Sequence, residues 1–387
     1  MGNTILLKGS FLWDGLGEGL SQKGTVRIKD GRITAIDYWE KLSVEEYDQL
    51  LDFTGMTIMP GLIDAHTHLA MDPTLKDYLH HMGDPLEDLK ARAIQMMKKD
   101  LSAGVTTCRC LGDREFLDID LRQAVEKGEL IGPRLQVATR GIRAPHGHGF
   151  VGYPFAGPEE IKSAILENID AGADFIKIYI TGTLKGREEI HSYLTYEEIS
   201  TAIQTAHQSG VRVASHCVGG IGLDWALDLG LDTLEHAYHI EPAQVERLSR
   251  SSTLLVLTPS PILTDERVLN LPSSLIQGHF EERSMIFNNM AKCIASGMPF
   301  AVGTDGMHGE FASEVGYLVD MGASPYVALQ AATINGARAC KLETDTGSLE
   351  IGKYADILVV KGNPLKDVNI LRNVVSVIKA GEPVKSL

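Results

Sequence analysis

Eight short apolar runs of β type recur through the middle of the chain, and amphipathic stretches lie between them. The runs are MTIMPGLIDAH, GVTTCRCLG, RLQVATRGI, DFIKIYI, VRVASHC, DTLEHA, STLLVLTPS and PFAVGTD. Strands that alternate with crossover helices pair in parallel, so this pattern restricts the fold to parallel α/β architectures. Eight repeats fit a closed (β/α)8 barrel of the TIM type, with a doubly wound open sheet as the alternative. The intervening segments carry helix signals of their own. PLEDLKARAIQMMKKDLSAG has Leu86, Leu89, Ala93, Met97 and Leu101 at helical spacing and ends at Gly104. GPEEIKSAILENIDAGAD opens on a proline and two acids and closes at Gly172, which suits the helix dipole and a glycine C-terminal cap. In TYEEISTAIQTAHQSGVR, Thr195 is the expected N-cap and Gly210 the stop.

Both ends of the chain differ from this middle. TILLKGSFLWDG, GTVRIKDGRITAID and YDQLLDFTGMTIMPG are short strands and turns, and IKDGRI is a hairpin signal because Asp-Gly accepts the positive φ of tight hairpin turns. GLGEGL, with no strand-to-helix context, reads as a loop and not a phosphate cradle. GSLEIGKYADILVVKGNPL and VVSVIKAGEPV are again β-rich. The expected organisation is a small β-sandwich domain built from residues 1–60 and 345–387, and a barrel over residues 61–344.

A net charge of −15, from 36 basic and 51 acidic side chains, argues against nucleic-acid and anionic-membrane partners, and no basic stripe interrupts it. The five cysteines form no disulfide framework, and a single Cys-x-Cys without a matching pair is a poor metal site. They point to a reducing, cytoplasmic setting. MGNTIL begins like a myristoylation site, but Leu6 stands where Ser or Thr is required. No signal segment and no apolar run of membrane-spanning length is expected.

In a barrel of this type the reactive groups sit at the C-terminal strand ends. The first strand ends with Asp64, His66 and His68, and alternation puts the two imidazoles on one face. The fourth carries Lys177, the fifth ends at His216, the sixth at His236 and the eighth at Asp305. Each has an ordinary structural reading, as core histidine, snorkelling lysine or helix cap. Their coincidence at five of eight strand ends favours a shared metal centre. Imidazoles and a carboxylate suit zinc or a similar divalent ion. One ion could use His66, His68 and Asp305, and a second His216 and His236. A buried lysine near two cations is driven towards its neutral amine, which can capture carbon dioxide as a carbamate and bridge the pair. Two ions about 3.5–4 Å apart can share a hydroxide and polarise a carbonyl.

The set PGLIDAHTHLA, GADFIKIYITG, GVRVASHCVGG, GLDTLEHAYHI and AVGTDGMHGEF, with the C-terminal SPYVALQAATINGARACKLETDTGSLEIGKYADILVVKGNPLKD, resembles the amidohydrolase superfamily over nearly the whole chain. The similarity is to its binuclear, carboxylated-lysine branch and to the Xaa-Pro dipeptidase-like and imidazolonepropionase-related subgroup. It implies a barrel with a terminal β-sandwich, two divalent metals, a small-molecule substrate and a homo-oligomer. One departure is the segment after the fourth strand, ITGTLKGREEIHSYLT, where dipeptidase-like members commonly have a Gly-Gly turn. Such a loop would lie over the site and alter the substrate.

The reaction expected is hydrolysis of a C–N bond in an amide, cyclic amide or peptide-like substrate. A bridging hydroxide attacks the carbonyl, and Asp305 relays its proton to the leaving nitrogen. RAPHGHGF, after the third strand, is the expected substrate loop, with His146, His148 and Arg143 as candidates and Tyr179 as a further one. Two rival readings are a mononuclear deaminase or cyclic-amidine hydrolase and a non-catalytic oligomeric relative. The first lacks an acid after His216, where Cys217, Val218 and Gly219 follow, and gives Lys177 no task. The second sits badly with a complete ligand set.

Overall fold

The computed structural model describes residues 4–43, 46–149, 151–185 and 189–384. The two ends of the chain share one seven-stranded sheet. In spatial order its strands are Glu382–Pro383, Val374–Lys379, Ile357–Val360, Gln49–Pro60, Thr4–Leu12, Thr25–Lys29 and Arg32–Asp37. Among the described residues only Thr4–Leu12 and Gln49–Pro60 pair in parallel in this sheet. Ile5, Leu7, Val26, Ile58, Ile357, Val359 and Ile378 form its buried face. The Asp30-Gly31 turn has positive φ at both residues, 51° and 77°, as the Asp-Gly pair requires. A side chain at Gly31 would meet the Ala380 carbonyl, because the turn at Ala380-Gly381 packs directly on it.

The run MTIMPGLIDAH is not one strand. The chain leaves the terminal sheet at Pro60, and Leu62–Thr67 opens a second set of strands. Gly61 sits between them, pressed against Thr106 and donating to the Asp356 carbonyl, so no side chain fits there. A periodicity argument joins the two strands because both are buried and apolar.

Eight parallel strands follow, one for each run. Leu62–Thr67, Val105–Cys110 and Arg134–Val137 form a three-stranded sheet. Phe175–Tyr179, Arg212–Cys217, Thr233–His236, Leu254–Leu257 and Phe300–Val302 continue in a second sheet, edged by the short Ile142–Arg143 and Tyr153–Pro154. Backbone hydrogen bonds join the two sheets at both edges, from Asp305 N to His66 O (2.7 Å) and from Asp174 N to Val137 O (2.8 Å). This is the α/β architecture of the (β/α)8 type.

The helices follow their sequence signals. Leu86–Ser102 buries Leu89, Ala93, Met97 and Leu101 against the strands, at about 1.5–3 kcal/mol for each large side chain removed from water. Tyr196–Gln208 starts with a complete capping box, Thr195 accepting from Glu198 N and the Glu198 carboxylate from Thr195 N. Gly157–Ala171 ends at Gly172 with φ 103°. After the seventh strand the chain inserts Ser260–Leu263, Asp265–Leu269 and the long helix Ser273–Ala295 before the eighth strand begins. No helix among the described residues is long and apolar enough to cross a membrane. All five cysteines are buried and unpaired.

Candidate active site

His66 and His68 are buried at the end of the first barrel strand, and each has its Nδ1 committed elsewhere. His66 Nδ1 lies 2.8 Å from Glu235 Oε2, and His68 Nδ1 lies 2.6 Å from the Gly112 carbonyl. A carbonyl and a carboxylate only accept, so both Nδ1 atoms carry a proton, and in the neutral imidazole the lone pair then lies on Nε2. The two Nε2 atoms lie 3.4 and 3.5 Å from Asp305 Oδ1. Donor atoms of His66, His68 and Asp305 all fall within 4.8 Å of one another. His66 Nε2 is buried and has no hydrogen-bond partner among the described residues.

The last strand is pressed close to the first. Gly303 backs onto His66, where a Cβ would come within 2.4 Å of the His66 nitrogen. Asp64 accepts from His66 N and from the Thr304 amide and hydroxyl, so it ties the two strand ends together. Its burial pushes the carboxyl up to about 7. Asp305 itself has φ 51°. Burial would raise its carboxyl, but Arg267, His66 and His236 hold it well below the usual carboxylate range.

His216 and His236 stand beside this group. Their ring centroids are 4.4 Å apart, and His236 is 4.7 Å from His66. His236 has φ 77°, and its Nδ1 lies 2.6 Å from Thr258 Oγ1. Burial, then neighbouring histidines, hold both imidazoles well below their ordinary range, and burial lowers His68 to about 3. Neutral imidazoles are the form that binds metals. Lys177 is fully buried on the fourth barrel strand, and its Nζ has no hydrogen-bond partner among the described residues. Burial lowers the amine to about 8, against the pull of Glu235 and Asp305. Orphaned donor atoms on a buried lysine and a buried imidazole, next to a carboxylate, are the chemistry that divalent metals satisfy.

The proposed substrate residues separate. The exposed His148 ring is 4.4 Å from His216 and 6.1 Å from Tyr179, and its Nε2 is 3.2 Å from Thr183 Oγ1. Tyr179 is buried with an unpartnered hydroxyl, and Gly141, Gly149 and Gly152 close on its ring. Arg143 donates to the carbonyls of Gly152, Ala144 and Pro145, so its guanidinium braces the loop. His146 is exposed on the Ala144–Gly147 turn and makes no hydrogen bond or ring contact among the described residues. Of the loop after the fourth strand, the Gly182 carbonyl reaches 3.4 Å from His216 Nε2, while residues 186–188 lie outside the described residues.

Three buried groups escape a reading of the sequence. Glu235 accepts from His66 Nδ1 on Oε2, and on Oε1 it accepts from Arg109 (3.1 Å) and Thr233 (2.7 Å). Arg109 is buried, stacked 4.3 Å over Phe175, and also bonds Thr233. Glu235 neighbours His236 in LEHA, and simple alternation would place them on opposite faces. The left-handed backbone at His236 lets both serve one centre. Arg267 reaches Asp305 from the insertion after the seventh strand, where DERVLN carries no signal of it.

Known proteins share this arrangement of chain. Ochratoxinase from Aspergillus niger is 25% identical over 81% of this chain and 72% of its own. An imidazolonepropionase from Pyrobaculum arsenaticum is 25% identical over 94% and 92%. The structure of a Xaa-Pro dipeptidase with methionine bound in its active site superposes with a TM-score of 0.88 and 27% identity, covering 99% of this chain and 100% of that one. The family model described as the amidohydrolase family matches residues 57–384, and the chain belongs to that family.

Proposed function

We propose that this protein hydrolyses a C–N bond in a small amide, cyclic amide or peptide-like substrate at a binuclear divalent-metal centre. Support comes from the family and from relatives named as ochratoxinase, imidazolonepropionase and Xaa-Pro dipeptidase. His66, His68 and Asp305 would hold one ion, His216 and His236 the other, and a carbamate on Lys177 would join them. The donor set suits zinc. Bound there, the metals would supply Lewis acidity towards the scissile carbonyl and an acidified water.

The chain's own groups do the rest. Asp305 Oδ1 faces the imidazoles and is placed to take the proton from the attacking water and return it to the leaving nitrogen. His148, at the exposed side of His216, is placed to donate to the substrate, and the buried Tyr179 hydroxyl is a second donor. The Lys177 amine, lowered to about 8, is in part neutral at pH 7 and can capture carbon dioxide. Five unpaired cysteines support a reducing, cytoplasmic setting, and a homo-oligomer is the assembly we propose.

One observation carries the reading: a lysine on the barrel wall, fully buried, with no partner for its amine among the described residues. Elemental analysis should find about two divalent ions per chain, falling in Lys177→Ala. One ion per chain, insensitive to that change, would replace this reading with the mononuclear one. For the substrate loop, His148→Ala should lower kcat/KM by about 3–10-fold, the worth of one hydrogen bond, with an unchanged melting temperature. An unaltered kcat/KM would remove His148 from the substrate site.

A further inference from the structure

We propose that Arg267 is the positioning residue for Asp305, selecting which carboxylate oxygen faces the imidazoles and holding the backbone turn that carries it. This rests on the role given to Asp305 above and adds a residue from a different loop. Arg267 lies in the short helix Asp265–Leu269, between the seventh strand and the long helix Ser273–Ala295. It is 3% exposed. Nη1 donates to the Thr304 carbonyl (3.1 Å) and to the Asp305 carbonyl (2.6 Å), and Nη2 donates to Asp305 Oδ2 (3.1 Å). Tyr78 lies across the guanidinium at 5.6 Å, and the Met71 sulfur is 3.8 Å from Nη2.

The division of these bonds is what matters. A guanidinium whose task is to pair with a carboxylate commonly takes both oxygens in a fork. Here one nitrogen takes only Oδ2, and the other is spent on two main-chain carbonyls. Oδ1 is thereby left to His66 and His68, at 3.4 and 3.5 Å. The main-chain bonds have their own purpose. Asp305 has φ 51°, a left-handed conformation costly to a residue with a side chain, which persists only when its surroundings over-determine it. Asp305 N is bonded to His66 O on one side, and Arg267 holds the carbonyls on the other. A single planar group thus fixes backbone and carboxylate together. Among the described residues no Arg267 hydrogen bond reaches His216 or His236, so the effect is confined to one half of the centre.

The test is zinc release from the zinc-loaded protein into a chromophoric chelator, comparing wild type with Arg267→Lys. Lysine keeps the charge but cannot reach three acceptors as a rigid fork does. The expected result is two phases, with one ion released on the order of 10–100-fold faster than in wild type and the other unchanged. In Arg267→Ala, added methylguanidinium should slow the fast phase again, an effect that a general loss of packing would not give. Release of both ions at wild-type rates, or equal acceleration of both, overturns the assignment. A wild type that holds only one zinc counts against the binuclear centre, not against Arg267. In that case the single ion of Arg267→Lys must still leave faster, and if it does not the assignment fails.

Discussion

Turnover in the Asp305→Asn protein is expected to fall by on the order of 10³-fold, within the range for loss of a positioned general acid–base group, while the melting temperature stays within a few degrees. The substitution is nearly isosteric, so packing is preserved. What changes is the charge and the order of the two ends. The Arg267 guanidinium accepts nothing, so the asparagine oxygen must turn to it, and the amide nitrogen then faces His66 and His68. An NH₂ group there can neither take a proton from water nor bind a metal. Steady-state kinetics beside a thermal melt measure both quantities. Activity above a tenth of wild type would remove Asp305 from the proton relay.

Glu235→Leu should be the most destabilising single change in the site, at about 3–5 kcal/mol by denaturant unfolding, because it leaves the buried Arg109 charge without its counterion. The double variant with Arg109→Met should recover much of that loss, since it removes both charges and fills both volumes with apolar atoms. The sign of the pH dependence follows from the same pair. Burial would push the Glu235 carboxyl up, but Arg109 and His66 hold it well below the usual range. A depressed carboxyl stabilises the fold fully above the ordinary carboxylate pKa of about 4.3 and loses that contribution only as pH falls below it. Stability attributable to Glu235 should therefore be flat at neutral pH and decline on acidification. If Glu235→Leu were as stable as wild type, the ion pair would not be holding the second and sixth strands together.

Much of the site was legible because inward polar residues at strand ends are conspicuous in apolar runs. His66, Lys177, His216, His236 and Asp305 stand out for that reason; the structure gathers His66 with Asp305, His236 and His216, and Lys177 is buried within the electrostatic reach of Asp305. The helices were legible from caps, as Thr195 and Gly172 illustrate. Glu235 was hidden by the left-handed backbone at His236, which no period-two argument can foresee. Arg267 was hidden because its partner lies 38 residues away across an insertion. His146 and His148 belong to one motif, yet only His148 meets His216, a distinction made by the fold of the loop and not by residue type.

The terminal sheet sets a schedule for biosynthesis. Gln49–Pro60 pairs on one edge with Thr4–Leu12, made moments earlier, and on the other with Ile357–Val360. Translation at about 5–20 residues per second brings that second partner out of the ribosome roughly 15–60 s later. Throughout that interval the nascent chain carries an apolar strand with open backbone donors and acceptors, the very template that recruits another unfolded chain. Shielding of this one edge, by a chaperone or by the growing barrel, decides how much of the newly made protein reaches its native state.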